Sequence, residues 1–190
     1  MNGVWRRRAL LALMALVAVL LPWLGEVYYP WPYQQIFLTA ASRYRLSPYL
    51  LAAVARSESR FDPYATSRRG AIGMMQVMPR TGQYVAHTRS GQATPVLRRP
   101  GDSVEIGARY LRELMAEFSS ETAALAAYNG GEANVQRWIA SGTWRPGQPL
   151  SRIPYPETRD FVARVEWTSR WYAYLYPGHD ASGGADASQR

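Results

Sequence analysis

The segment Pro48 to Ser57 (P-Y-L-L-A-A-V-A-R-S) is helical in character and apolar on nearly every side. A helix without a polar face belongs in the interior of a protein. The rest of the chain has to wrap it. Ser47 before Pro48 is a good start signal, a side chain that caps the first turn followed by a proline whose missing N–H costs nothing there. The surrounding sequence offers helices for the wrapping. Gln34 to Tyr44 reads as a short helix, and Pro79 to Val85 as the start of another. Asp102 with Glu105 has the spacing of a capping box. Behind it Val104, Ala108, Leu111, Met115 and Phe118 line one helical face. Glu121 to Tyr128 is Ala-rich and helical, and Ala133 to Ala140 forms another helix that stops near Gly142. A last helix from Glu157 to about Tyr174 carries Phe161, Val165, Thr168, Tyr172 and Leu175 on one stripe. Arg60–Gly73, Thr88–Gly101 and Ser141–Pro154 are rich in turn residues and read as loops. There is no useful alternating strand pattern and no internal repeat. The expected fold is all-α, one compact domain.

The N-terminus has a different character. Arg6-Arg7-Arg8 precede an apolar run from Ala9 to Leu21 that continues through Pro22-Trp23-Leu24. Positive charge followed by an apolar stretch is the pattern of a secretory signal or signal anchor. The arginines then stay on the cytoplasmic side. No A-x-A cleavage signal ends the run, which favours an uncleaved anchor over residues 9–24, with secretion after cleavage as the alternative. The run is 16 residues, slightly short of the ~20 that usually span a bilayer. Glu26 to Pro32 (E-V-Y-Y-P-W-P) reads as an extended linker because its prolines block a helix.

Composition narrows the chemistry. The chain contains no Cys, so disulfides, thiol catalysis and Cys-based metal sites are excluded. His87 and His179, the two histidines, have no metal-ligand spacing, and no metal or cofactor is expected. All 22 basic residues are Arg, and the net charge of +8 suits an anionic polymer or a membrane face. Nucleic acid would account for the charge as well, but the arginines are scattered rather than gathered on one element, and no binding motif accompanies them.

Chemistry concentrates between Ser57 and Pro79 (S-E-S-R-F-D-P-Y-A-T-S-R-R-G-A-I-G-M-M-Q-V-M-P). Glu58 ends the apolar helix. A lone glutamate there can be an ordinary surface residue. The negative end of the helix dipole and apolar Leu51, Val54 and Ala55 would nevertheless raise its pKa, as a general acid near neutral pH requires. The following loop has Gly70 and Gly73, which permit tight turns, then Met74-Met75-Gln76. Paired methionines can equally be core packing. Ala127-Tyr128-Asn129-Gly130-Gly131 has the residue types of a helix C-cap. Ile153-Pro154-Tyr155-Pro156-Glu157-Thr158-Arg159 opens the last helix, where an acidic residue is favoured by the dipole alone.

Together these segments resemble the catalytic domain of the soluble lytic transglycosylases, lysozyme-like enzymes that cut the glycan strands of peptidoglycan. The likeness covers about Tyr33 to Tyr174, and the match is strongest from Glu58-Ser59-Arg60-Phe61 through Met78-Pro79. It implies a lysozyme-like helical domain over 33–177; the residues themselves place an anchor or signal (1–25) and a linker (26–32) before it and a disordered tail (178–190) after it. It also implies the site: Glu58 as the catalytic acid, and Ser67, Met75, Gln76, Tyr128, Asn129, Tyr155 and Glu157 as substrate-binding residues. The implied reaction cleaves the bond between N-acetylmuramic acid and N-acetylglucosamine and leaves a 1,6-anhydromuramyl end, in cell-wall remodelling. Partners would be glycan strands and, through the N-terminal segment, the inner membrane, with a periplasmic location. A goose-lysozyme-type hydrolase and a non-catalytic peptidoglycan-binding scaffold are the alternatives. Two departures stand out. Gly130 replaces the Ala usual before the second Gly, and Arg98-Arg99-Pro100 with Ser103 replaces a Phe-Asp-Pro and a following Asn.

Overall fold

The computed structural model describes residues 3–87 and 97–179, with the side chains of 3–6, 18, 19, 21–23, 86 and 87 left aside. It comprises α1 (Gly3–Tyr28), α2 (Gln34–Tyr44), α3 (Pro48–Ser59), α4 (Pro79–His87), α5 (Pro100–Phe118), α6 (Glu121–Gly130), α7 (Glu132–Ser141), a 3-10 turn (Leu150–Arg152) and α8 (Pro156–Leu175). Helices dominate, as expected. Among the described residues the only β pairing is two isolated bridges, Thr66 with Ile72 and Ile72 with Val77.

α3 is the buried centre. Tyr49 to Ala55 are all at most 2% exposed, and the Ser47 hydroxyl accepts from the Leu50 N–H at 3.4 Å as the N-cap. α8 packs along α3, while α5 bridges α2 and α6. The predicted α8 stripe of Phe161, Val165, Thr168, Tyr172 and Leu175 is buried throughout. Val104, Ala108 and Leu111 of α5 are fully buried.

The capping box on α5 does not form. Arg99 is the N-cap and makes no side-chain cap bond. Glu105 instead accepts from Arg43 Nη1 at 2.7 Å and from the Tyr44 hydroxyl at 2.6 Å. A carboxylate that meets a cation and a phenol on a packed neighbour gains more there than from one backbone N–H, so Glu105 fastens α5 to α2.

The expected linker is also different. Residues 26–28 are the last turn of α1, and Pro30 and Pro32 break the chain only after it. Trp31 is 8% exposed, against the rings of Tyr49, Tyr172 and Tyr176. The Tyr172 hydroxyl donates to Pro30 O and the Tyr176 hydroxyl to Tyr29 O, both at 3.0 Å. Apolar aromatic surface flanked by prolines binds to the body even though it cannot be helical. The globular body therefore starts at Tyr29, not Tyr33. α1 crosses α8 closely, since a Cβ on Gly25 would lie 2.4 Å from Leu175 Cδ2. Tyr172→Phe removes one donor from this clasp and should cost ~1 kcal/mol, read as a lower urea midpoint at unchanged slope.

Among the described residues no helix is long and apolar enough to cross a membrane. The described part of α1 therefore does not by itself show a spanning anchor over residues 9–24. The loop expected over Thr88–Gly101 lies largely outside the described residues, which resume at Leu97, and α5 already begins at Pro100. The disordered tail expected over 178–190 likewise lies outside them from residue 180.

Candidate active site

The site is built at the C-terminal end of α3. The helix stops sharply because Arg60 and Phe61 both take positive φ, 55° and 66°. Phe61 is then buried against Phe37, with ring centroids 5.8 Å apart and edge to face. This reversal leaves Glu58 in the last turn, facing a cavity of about 790 Å³. Ser67 and Gln76 line that cavity with Glu58, and so do Arg56, Thr66, Arg164 and Thr168.

Burial pushes the Glu58 carboxyl up to about 7, the charge of Glu157 adds to the rise, and Arg164 opposes it. At neutral pH both protonation states are populated, so one group can give a proton and later take one.

The loop that forms the cavity wall is held by side chains from four directions. The Ser59 hydroxyl donates to Met74 O at 2.9 Å. The Met75 N–H donates to Ser103 Oγ at 3.1 Å, and the Tyr128 hydroxyl donates to Met75 O at 2.8 Å. Gln76 Nε2 donates to Gly73 O at 2.9 Å and Ala65 O at 3.2 Å. The Met75 peptide is thus pinned on both faces, by α5 and α6. The Ser67 hydroxyl accepts from the Ala71 N–H at 3.0 Å, which closes the preceding turn. Its own proton stays available to a ligand.

The expected binding residues divide. Ser67 and Gln76 line the cavity with Glu58. Tyr128 stands behind the loop, with its hydroxyl end enclosed. Burial and then the Glu58 charge raise its pKa well above that of a free phenol, so it remains a neutral donor. Met75 needs correcting, because its side chain is fully buried. It packs so close to α5 that a Cβ on Gly107 would lie 2.7 Å from it. Its side chain does not line the cavity. Asn129 is tied to α8, where its Oδ1 accepts from Thr158 Oγ1 at 2.9 Å. Tyr155 is 44% exposed and sits edge-on to Trp138 at 5.0 Å, outside the cavity lining. Glu157 is exposed and reaches Glu58 through its charge.

Sequence reasoning did not name Arg164 and gave no site role to Thr168, Ser103 or Thr158. Arg164 and Thr168 lie seven and eleven residues after Glu157, on one face of α8, and that spacing was the available signal. Ser103 carried a weaker signal, a hydroxyl next to the apolar stripe of α5.

A family model described as the transglycosylase SLT domain matches residues 35–150. The chain belongs to this family. The SLT domain here is 30% identical over 156 residues to the soluble lytic murein transglycosylase of Escherichia coli K12, covering 79% of this chain and 24% of the relative. It is 30% identical over 165 residues to the membrane-bound lytic murein transglycosylase C of Edwardsiella ictaluri, covering 74% and 46%. The chain thus spans about a quarter of the length of the soluble relative. Among solved structures, the 70 kDa soluble lytic transglycosylase of E. coli superposes with a TM-score of 0.73 at 28% identity, over 84% of this chain and 26% of that one. The same enzyme has been solved in complex with bulgecin A. The Pseudomonas aeruginosa Slt, an inactive variant with a glutamate changed to glutamine, gives 0.70 at 25% identity, over 79% and 25%.

Two of the departing residues in this SLT domain, Ser103 and Gly130, have a local reason. Ser103 is fully buried, with its Oγ at the Met75 N–H and 2.9 Å from where a Gly73 Cβ would be. A small hydroxyl meets that donor without filling the space Gly73 leaves. Gly130 makes room for Thr158, whose Oγ1 would be 2.8 Å from a Cβ at 130. Ser103→Ala leaves the Met75 N–H buried without its acceptor and should cost ~1–3 kcal/mol. Thermal melts give the loss, and Ser103→Thr, which keeps the hydroxyl, should recover only part of it because of its extra methyl.

Proposed function

We propose that this SLT domain is a peptidoglycan lytic transglycosylase that cleaves the MurNAc-β-1,4-GlcNAc bond and leaves a 1,6-anhydromuramyl end, in cell-wall remodelling. The observation that carries the reading is Glu58, raised to about 7 in a cavity shared with Ser67, Gln76 and Arg164. Substrate-assisted glycosidases work with one protein carboxyl, because the sugar's own acetamido group takes the place of the second.

The Glu58 carboxyl gives its proton to the glycosidic oxygen, and N-acetylglucosamine leaves with a free C4 hydroxyl. The muramyl 2-acetamido oxygen bonds to C1 and stabilises the positive charge there. Ser67, with its hydroxyl proton uncommitted, hydrogen-bonds that group. The Glu58 carboxylate then takes the proton of the muramyl C6 hydroxyl, O6 bonds to C1, and the acetamido oxygen is released. Glu58 ends protonated, and no water is consumed. Tyr128 acts through the Met75 peptide, keeping the loop wall in place. Asn129, Tyr155 and Glu157 serve the outer part of the glycan path, with Met75 contributing its peptide alone.

The enzyme works in the periplasm, held at the inner membrane by residues 9–24. The support is Arg6-Arg7-Arg8 before the apolar run. Leu10, Leu11, Leu13, Met14, Leu16, Val17 and Leu20 of α1 are also 41–63% exposed, a surface that water does not favour. Digestion of purified peptidoglycan, followed by mass spectrometry, tests the reaction. Muropeptides one water lighter than lysozyme products are expected. Reducing muramyl ends would instead mean a hydrolase, and bound but uncut glycan a scaffold.

A further inference from the structure

We propose that the exposed aromatic stripe of α8, together with the last turn of α1, is a seat for the headgroup region of a lipid bilayer. The proposal rests on the membrane-held reading above and extends it from α1 to the catalytic body.

Trp167, Trp171 and Tyr174 follow one another at spacings of four and three, so they form one stripe on α8, turned away from its buried stripe. Trp167 is 56% and Tyr174 62% exposed. The three rings form a chain, with centroids 6.0 Å apart from Trp167 to Trp171 and 5.8 Å apart from Trp171 to Tyr174. Trp171 also stacks on Tyr29 at 5.9 Å. Beside it lies a groove of about 420 Å³ lined by Leu24, Gly25, Tyr28, Tyr29, Arg56 and Trp171. Leu24, Val27 and Tyr28 on its α1 side are 43%, 60% and 70% exposed.

Large aromatics gathered on one water-facing surface mark a partner. Trp and Tyr with their polar tips outward are the residue types that settle at a membrane–water boundary. The occupant follows from continuity, because the stripe begins where the exposed leucines of α1 end, and Leu24 and Trp171 line one groove. The exposed charges beside the rings, Glu26 on α1 and Asp160, Arg164 and Arg170 on α8, are of both signs, so the recognition is aromatic rather than ionic.

The seat also orients the enzyme. Arg56 lines both this groove and the cavity of Glu58. It donates to Tyr28 O at 2.6 Å and lies 4.7 Å over the Tyr29 ring. The cleft therefore opens next to the membrane-facing side, toward the glycan nearest the bilayer.

The absence of cysteine allows a clean test on the full chain. Ala163→Cys, on the α8 stripe, and Ala140→Cys, exposed on α7, each receive a nitroxide. The chain is reconstituted with phosphatidylethanolamine and phosphatidylglycerol vesicles. The ratio of collisions with oxygen to collisions with a nickel chelate should rise several-fold at 163 on vesicle binding and stay level at 140. Trp167→Gln should reduce the rise at 163. Vesicle-bound chain with both labels equally wet would overturn the seat while leaving the α1 anchor standing. Chain that does not float with vesicles would overturn both. A label at 163 that responds to added glycan strands and not to vesicles would make the stripe a sugar surface and overturn the proposal.

Discussion

Glu58→Gln is expected to lower release of anhydromuramyl products by at least ~10³-fold while the fold is kept, since the amide can neither give nor take the proton on which both half-steps depend. The same substitution carries a second readout that does not depend on substrate. The Glu58 carboxyl is raised from 4.5 to about 7, with burial as the leading cause. Its folded pKa lies above the unfolded one, so the folded state holds the proton more tightly. The associated stability is fully present below pH 4.5 and is lost as the pH rises through 7. At pH 8 the native protein carries a poorly solvated carboxylate at a cost of ~2–3 kcal/mol. The glutamine variant avoids this cost, so it should melt higher than the parent at pH 8 and level with it at pH 4. Equal melting at both pH values would mean Glu58 is not held in a desolvated site. Activity of the parent should fall on the alkaline side with a midpoint near 7, as the acid form is depleted. Full activity of Glu58→Gln would remove the residue from the mechanism.

The second large effect concerns stability. Gly73→Ala should cost ~3–5 kcal/mol and abolish activity along with it. Gly73 has φ of +78°, and a Cβ there would fall 2.0 Å from the Leu97 carbonyl oxygen and 2.9 Å from Ser103 Oγ. A methyl has to push backbone aside, which a flexible side chain could have absorbed but a carbonyl cannot. Displacing the peptide at 73 also disturbs the Gln76 amide bonded to it, and with it the wall beside Glu58. Gly70 provides the control. It has φ of +87° but nothing within 4 Å of a Cβ, so Gly70→Ala should cost only the backbone strain, ~1 kcal/mol. Urea denaturation of both variants separates the clash from the strain. Similar losses at the two positions would overturn the packing argument.

Much was legible in the sequence alone. Helix positions follow from local signals: Ser47-Pro48 starts α3, Gly142 stops α7 at φ 74°, and the α8 stripe is buried as its spacing predicts. The order of Glu58, Ser67 and Gln76 along the chain marked the site because those residues lie within 19 positions on one helix end and one loop. Tertiary structure decided the rest. Asp102 and Glu105 have the spacing of a cap, yet Glu105 meets Arg43 and Tyr44 across 62 and 61 residues. Glu26 to Pro32 has the composition of a linker, yet Trp31 finds a buried surface on α3 and α8. Met75 has the place of a groove residue, yet Gly107 on α5 leaves room that its side chain fills, away from the cavity. Local sequence sets which conformations a segment can adopt. Which of several satisfactory partners a charge, a ring or a thioether takes depends on what long-range packing brings within reach, and that is a property of the folded chain.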